Sequence, residues 1–253
     1  MHLFWHFFQR DFKSRYLGSL SGLLWAVVHP ALQLLMYATV FEQIFKARIP
    51  GAEAHGFVAY VGVAFWAWTL YADAASRAVG SIVENAALIG KVAVSPVLLV
   101  CSAVAATAAL HLVGYAAALT LLAITGSSIH GLGVLLAIPV YGLLLMLTLG
   151  VSLMLSAVQV FVRDLAQVWT QMLAFWFFLT PVLYSRAMLP EFAQDLMRWN
   201  PLTYYPERLR VLILEGEYAL TMADAHALIV ALCALGLGVL VFQRLRRHFE
   251  DFL

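Results

Sequence analysis

Long apolar runs separated by brief polar breaks set the pattern of the chain. A helix needs about 20 mostly apolar residues to cross the hydrocarbon core of a bilayer. Six stretches are of that order: residues 20–45, 57–79, 96–123, 132–160, 168–184 and 225–242. Their pattern predicts one all-α integral membrane domain over residues 1–253, with six transmembrane helices. Ahead of the first run, Leu3, Phe4, Phe7, Phe8 and Phe12 fall near one helical face, with charges elsewhere. That predicts an amphipathic helix over residues 2–16 lying in the membrane interface.

The breaks between the runs are unequal. Residues 125–131 form a short uncharged turn, whereas residues 185–224 form a long semi-polar segment broken by Pro190, Pro201 and Pro206. Within it the stretch 209–214 is apolar but too short to span, so re-entrant or interfacial half-helices are expected. Lys and Arg set orientation. With the N-terminus in the cytoplasm, nine of them fall inside and six outside, and the inside set is concentrated at the two chain ends. Both termini are therefore placed in the cytoplasm and residues 185–224 on the outer face, where they could gate an exit.

Composition sharpens this. The chain is 63% hydrophobic and 11% charged, with mean hydropathy +0.88. A soluble fold of this length could not hide so much apolar surface. A net charge of +1 leaves no footprint for nucleic acid. Cys101 and Cys233 lie inside apolar runs and read as buried small hydrophobes rather than a disulfide. No cleavable leader, phosphate-binding loop, metal-ligand spacing or nucleophile elbow is evident, so no enzyme activity and no cofactor bound by this chain are expected, and any ATP must be bound elsewhere.

Candidate chemistry is sparse. The stretch 81–96 contains Glu84, Asn85, Leu88, Ile89 and Lys91, a compact apolar knob with polar rims suited to docking in a groove of a soluble partner. Arg163 and Asp164 are adjacent in a second turn on the same side, and neighbours on a helix point apart. Asp73 and Arg77 sit four residues apart near the end of the second run, where pairing would ease burial. His111 stands alone in the third run. Aromatic side chains cluster in the first, second and fifth runs, the last carrying Trp176, Phe177, Phe178 and Tyr184. Sugar rings stack on aromatic faces, although packing and interfacial belts account for most such residues.

The segments RDFKSRYLGS (10–19), GLLWAVVHP (22–30), Glu84-Asn85 with LIGKV (88–92) and Pro96, VRDL (162–165), TPVLY (180–184), and NPLT (200–203) with Arg210 occur in one order. In that order they resemble the permease subunit of polysaccharide exporters in the type-2 ABC transporter superfamily, the O-antigen branch most of all. The resemblance covers nearly the whole chain. It implies a homodimer bound to two copies of an ABC ATP-binding subunit, which carries ATP and Mg. It implies that Arg10 and Arg15 of the N-terminal helix, and a coupling helix at residues 84–92, contact that ATPase. It also implies that residues 185–224 form an outer gate, and that spans one and five wall a channel, with Tyr37, Phe41, Trp176 and Tyr184 as glycan contacts. The implied cargo is a lipid-linked glycan of O-antigen or capsule type, moved across the bacterial inner membrane. A drug or small-lipid exporter of the same superfamily is the nearest alternative. A membrane-embedded transferase should instead cluster His, Asp or Glu at one membrane face, and an ion-coupled transporter should show paired repeats and several intramembrane carboxylates.

Overall fold

The computed structural model describes residues 2–16, 22–44, 50, 55–89 and 94–252, and among them every regular element is helical. Helix α1 is His2–Tyr16 and α2 is Gly22–Ala38, which runs on as π-helix through Thr39–Ile44. Helix α3 is Phe57–Gly80 and α4 is the single turn Ala86–Ile89, preceded by the 3-10 turn Val83–Asn85. Pro96–Ile124 is α5 and Gly131–Gln159 is α6. Leu165–Phe178 is α7, Glu191–Arg198 is α8 and Tyr204–Arg210 is α9, which widens into a π turn at Val211–Glu215. Met222–Arg246 is α10.

Local sequence explains the boundaries. Ser95 is extended, as the residue before a proline prefers, and Pro96 opens α5, where its missing N–H costs nothing. Gly216 takes the left-handed conformation, with φ of 71°, that closes the π turn after α9. Thr221 and Asp224 form a reciprocal capping box at the start of α10. Pro30 and Pro139 sit inside α2 and α6, a placement that membrane helices tolerate when neighbours satisfy the freed carbonyls.

Among the described residues, four helices, α3, α5, α6 and α10, are long and apolar enough to cross a bilayer. The first predicted run is helical but changes register, since α2 gives way to π geometry at Thr39. The fifth differs more: α7 has 14 residues and stops at Phe178, not Tyr184. Pro181 disfavours helix at Thr180, and the Asn200 side-chain amide donates to the freed Leu179 carbonyl at 3.0 Å. The polar segment thus captures the end of the helix before it can complete the run.

The bundle has two distinguishable ends. At one, Phe161 of the α6–α7 turn meets Phe252, with ring centroids 4.8 Å apart, and Phe249, while Ile82 before α4 is fully buried in the same cluster. Helix α1 joins this end through Arg10, which donates to Asn85 at 2.9 Å. At the other end the His130 N–H donates to Ile213 at 2.9 Å, and α9 and its π turn pack against α3 and α6. This alternation is what a chain passing repeatedly through a membrane requires. Exposed apolar side chains on α2, α5, α6, α7 and α10, such as Leu35, Val113, Ile138, Phe175 and Leu240, clothe the middle.

Small residues set the closest packing. A side-chain carbon on Gly150 would meet the Ala234 and Leu235 backbone, and one on Gly238 would meet the Gly150 backbone. Helices α6 and α10 therefore cross with main chains in contact, as lipid, which drives no hydrophobic association between helices, favours. Gly238→Ala and Gly150→Ala should each lower the melting temperature of the detergent-purified protein by the equivalent of about 1–3 kcal/mol, whereas Gly142→Ala, which faces open space, should leave it unchanged.

Candidate functional site

The predicted coupling residues gather at one face. Arg10 of α1 bonds Asn85 just before α4, and Phe7 is buried with Val94 and Leu99, against which Leu88 and Ile89 pack. Leu88 and Ile89 are thus half-buried rather than a free knob, because a four-residue helix cannot hold its shape alone and takes it from its neighbours. What α4 and the turn before it turn outward is Val83, Glu84 and Ala87. The anticipated pairing of Asp73 with Arg77 does not form. Arg77 bonds Glu84 at 2.7 Å, and Asp73 meets His111 at 2.9 Å, so each charge is matched across elements rather than along one helical face. Lys91 and the side chain of Arg15 lie outside the described residues.

The turn that carries Arg163 and Asp164 is shaped by a residue the sequence did not single out. The Gln159 amide donates to the Arg163 carbonyl at 2.9 Å, and its oxygen accepts the Ala166 N–H at 2.8 Å. One buried side chain thereby closes the turn and caps the start of α7, leaving Arg163 and Asp164 exposed.

The opposite end is organised by two polar side chains, both within motifs quoted above. Asn200 accepts from Trp176 Nε1 at 2.9 Å and from the Leu202 N–H at 3.0 Å, and donates to the Leu179 carbonyl and Thr180. Arg210, 3% exposed, donates to the carbonyls of Tyr60, Pro181 and Val182 at 2.9, 2.8 and 2.6 Å, and its guanidinium lies 3.7 Å from the Tyr60 ring centroid. The TPVLY and NPLT motifs and Arg210 are therefore one assembly, joining the end of α7, α9 and the start of α3. Nearby, Asp224 accepts from Tyr204 Oη at 2.6 Å and pairs with Arg208 at 2.8 Å. Burial pushes the Glu207 carboxyl up against the opposing pull of Arg186 and Arg210.

The four predicted channel aromatics fall in two places, on the α2 side and at the end of α7. Tyr37 lies between Phe65 and Phe177, and Phe41 stacks on Phe57. Trp176 is held by Asn200, and Tyr184 donates to the Phe178 carbonyl at 2.8 Å. Trp176 and Tyr184 share an apolar groove of about 520 Å³ with Leu196 and Trp199 of the α8 region. Among the described residues there is no group of three side chains placed to hold a metal.

A family model described as ABC-2 type transporter matches residues 2–214. The chain belongs to the ABC-2 type transporter family. It is 28% identical to the O-antigen export system permease protein RfbA of Myxococcus xanthus over 96% of this chain and 92% of that protein. It is 24% identical to the RfbA protein of Klebsiella pneumoniae over the same shares. It is 20% identical to the polysialic acid transport protein KpsM of Escherichia coli over 93% of this chain and 90% of that protein.

In this ABC-2 chain the family match includes α9 and Arg210, so the assembly at the α7–α9 junction lies within the matched region. Arg210 is charged at any physiological pH, and its fork reaches three carbonyls where an ammonium would hold fewer at fixed geometry. Arg210→Ala should cost about 1–3 kcal/mol for each buried carbonyl left without a donor, read as loss of folded protein in the membrane. Arg210→Lys should fall between Ala and wild type in melting temperature.

Proposed function

We propose that this ABC-2 chain is the membrane-spanning subunit of an ATP-driven exporter that carries a lipid-linked polysaccharide, of O-antigen or capsule type, across the inner membrane. The observation that carries the proposal is similarity along more than nine-tenths of the chain to relatives named for O-antigen export and for polysialic acid transport. In this reading six passes place both termini in the cytoplasm. Helix α2 with its π continuation makes the first pass, and α7 with the turn after it makes the fifth. Two copies assemble with two ABC ATP-binding subunits, which hold ATP and Mg. The end bearing Arg10, Asn85 and the Arg163–Asp164 turn faces those subunits, and the end bearing Asn200 and Arg210 faces outward as the gate. Tyr37, Phe41, Trp176 and Tyr184 offer ring faces to the glycan.

The juxtaposition of Arg10 with Asn85 supports this arrangement, because it brings the N-terminal helix against the segment at residues 84–89. Movement imposed by closure of the ATPase dimer then reaches α1 and α4 together. Glu84, held by Arg77, sits on the outer side of that segment, where a basic patch of a partner would meet it.

Deleting the gene in its host should remove glycan from the cell surface and accumulate lipid-linked glycan inside, seen on one immunoblot. Unchanged surface glycan would move the assignment to export of a drug or small lipid. Leu88→Asp with Ile89→Asp should cut export about tenfold or more, the change that about 1.4 kcal/mol of lost coupling produces. Normal export and normal ATPase co-purification in that variant would remove the segment from the coupling surface.

A further inference from the structure

The C-terminal turn shows an unexplained expenditure of order. Helix α10 ends in an exposed basic stretch containing Arg244, Arg246 and Arg247, yet the chain then folds back as the 3-10 turn Phe249–Asp251. Phe249 is 3% exposed. An aromatic cluster holds it: Phe249 stands 5.7 Å from Phe242 and 6.1 Å from Phe161, and Phe252 stands 4.8 Å from Phe161, centroid to centroid. Ile82 and Val160 are buried in the same cluster, and Ile89 of α4 packs against it. Since α4 cannot be stable by itself, this cluster supports it from one side, beside the Arg10–Asn85 bond and the packing of Leu88 and Ile89 on Phe7, Val94 and Leu99.

The far end of the same helix is tied as firmly. Asp224 in its first turn accepts from Tyr204, from the Thr221 N–H at 2.6 Å and from Thr221 Oγ1 at 2.9 Å, and pairs with Arg208. Tyr204 and Arg208 belong to α9, and Arg208 also donates to the Ala219 carbonyl at 2.8 Å. Between these anchors α10 has 25 residues, roughly 37 Å at about 1.5 Å per residue, and it is seated on α6 by the Gly150–Gly238 crossing.

We infer that α10 is a transmission rod, held at one end by Phe249 in the cluster against which Ile89 of α4 packs and by Phe252 against Phe161 of the α6–α7 turn, and at the other end by Asp224 on α9, and that it carries movement at the α4 end to the outer segment. This rests on the reading of α4 as the ATPase-facing segment and of residues 185–224 as the gate. Packed helices pass displacement as rigid bodies because their interiors are close-packed. Phe249 and Asp224 are accordingly positioning residues, acting through α4 and α9 and touching no cargo.

The test uses the full complex of this chain with its ATPase in nanodiscs, with Cys101 and Cys233 replaced by alanine and a spin label at Glu217, which is exposed beside α9. In the otherwise unaltered complex, ATP should shift the label's mobility. Phe249→Ala should abolish that shift and lower export per ATP hydrolysed at least about fivefold, with ATP hydrolysis retained. Phe249→Leu should restore both, and Asp224→Asn should reproduce the loss from the other end. An unchanged label response and unchanged export per ATP in Phe249→Ala would overturn the rod. If Phe249→Ala fails to accumulate, Phe252→Ala decides the matter, since that ring is 56% exposed and its loss leaves the core intact. A complex without substitutions at Phe249 or Asp224 that neither exports glycan nor responds to ATP would instead refute the functional assignment beneath the rod.

Discussion

The junction of α3, α7 and α9 depends on one buried charge, Arg210. Arg210 is taken out of solvent and held by three main-chain carbonyls and the face of Tyr60. Stranding a buried guanidinium costs far more than a surface ion pair returns, so the three segments that supply those carbonyls are bound to one another. The end of α7, the start of α3 and α9 are thereby fixed in one geometry. Asn200 repeats the device on a smaller scale, using both faces of its amide to join Trp176, Leu179, Thr180 and Leu202. Irregular backbone at membrane depth is tolerated only where protein satisfies it, and these two side chains provide that satisfaction.

In the middle of the bundle the governing constraint is contact rather than charge. Ala64, Ala74, Ala75 and Ala78 of α3 are fully buried, and Gly150 and Gly238 bring α6 and α10 together. Dispersion grows with the number of atoms brought to close range, and small side chains permit that range. The polar requirement then falls to the two ends, where Gln159, Arg10 and Asn85 serve one side and Asn200, Arg210 and Asp224 the other.

Much of this was legible in the residues. Apolar run length located α3, α5, α6 and α10 within a few positions, because span length is set by bilayer thickness alone. The amphipathic spacing of Phe4, Phe8 and Phe12 located α1, whose rings stack along one face. The end of α7 was not legible from hydropathy: Leu183 and Tyr184 continue the apolar run, and the stop is set by Pro181 and by the Asn200 side chain on the Leu179 carbonyl. Nor could spacing pair Asp73 with His111, since that contact joins two helices and i to i+4 reasoning sees only one. The role of Gln159 was hidden for a different reason, as an isolated glutamine in an apolar run carries no pattern. Arg210 was visible as a motif residue, but its three carbonyl partners are dispersed between residues 60 and 182 and exist only in the fold.

The shortness of α7 reaches beyond the protein. At about 1.5 Å per residue its 14 residues cover about 21 Å, against roughly 30 Å of hydrocarbon. Val168, Met172, Phe175 and Phe178 all expose apolar surface along it. Where that face meets lipid, a helix this short is matched by local thinning of the bilayer, by the turn that follows it, or by burial against another protein surface. A short apolar helix beside the polar junction at Asn200 and Arg210 thus sets a length that the surroundings of α7, lipid or protein, have to match.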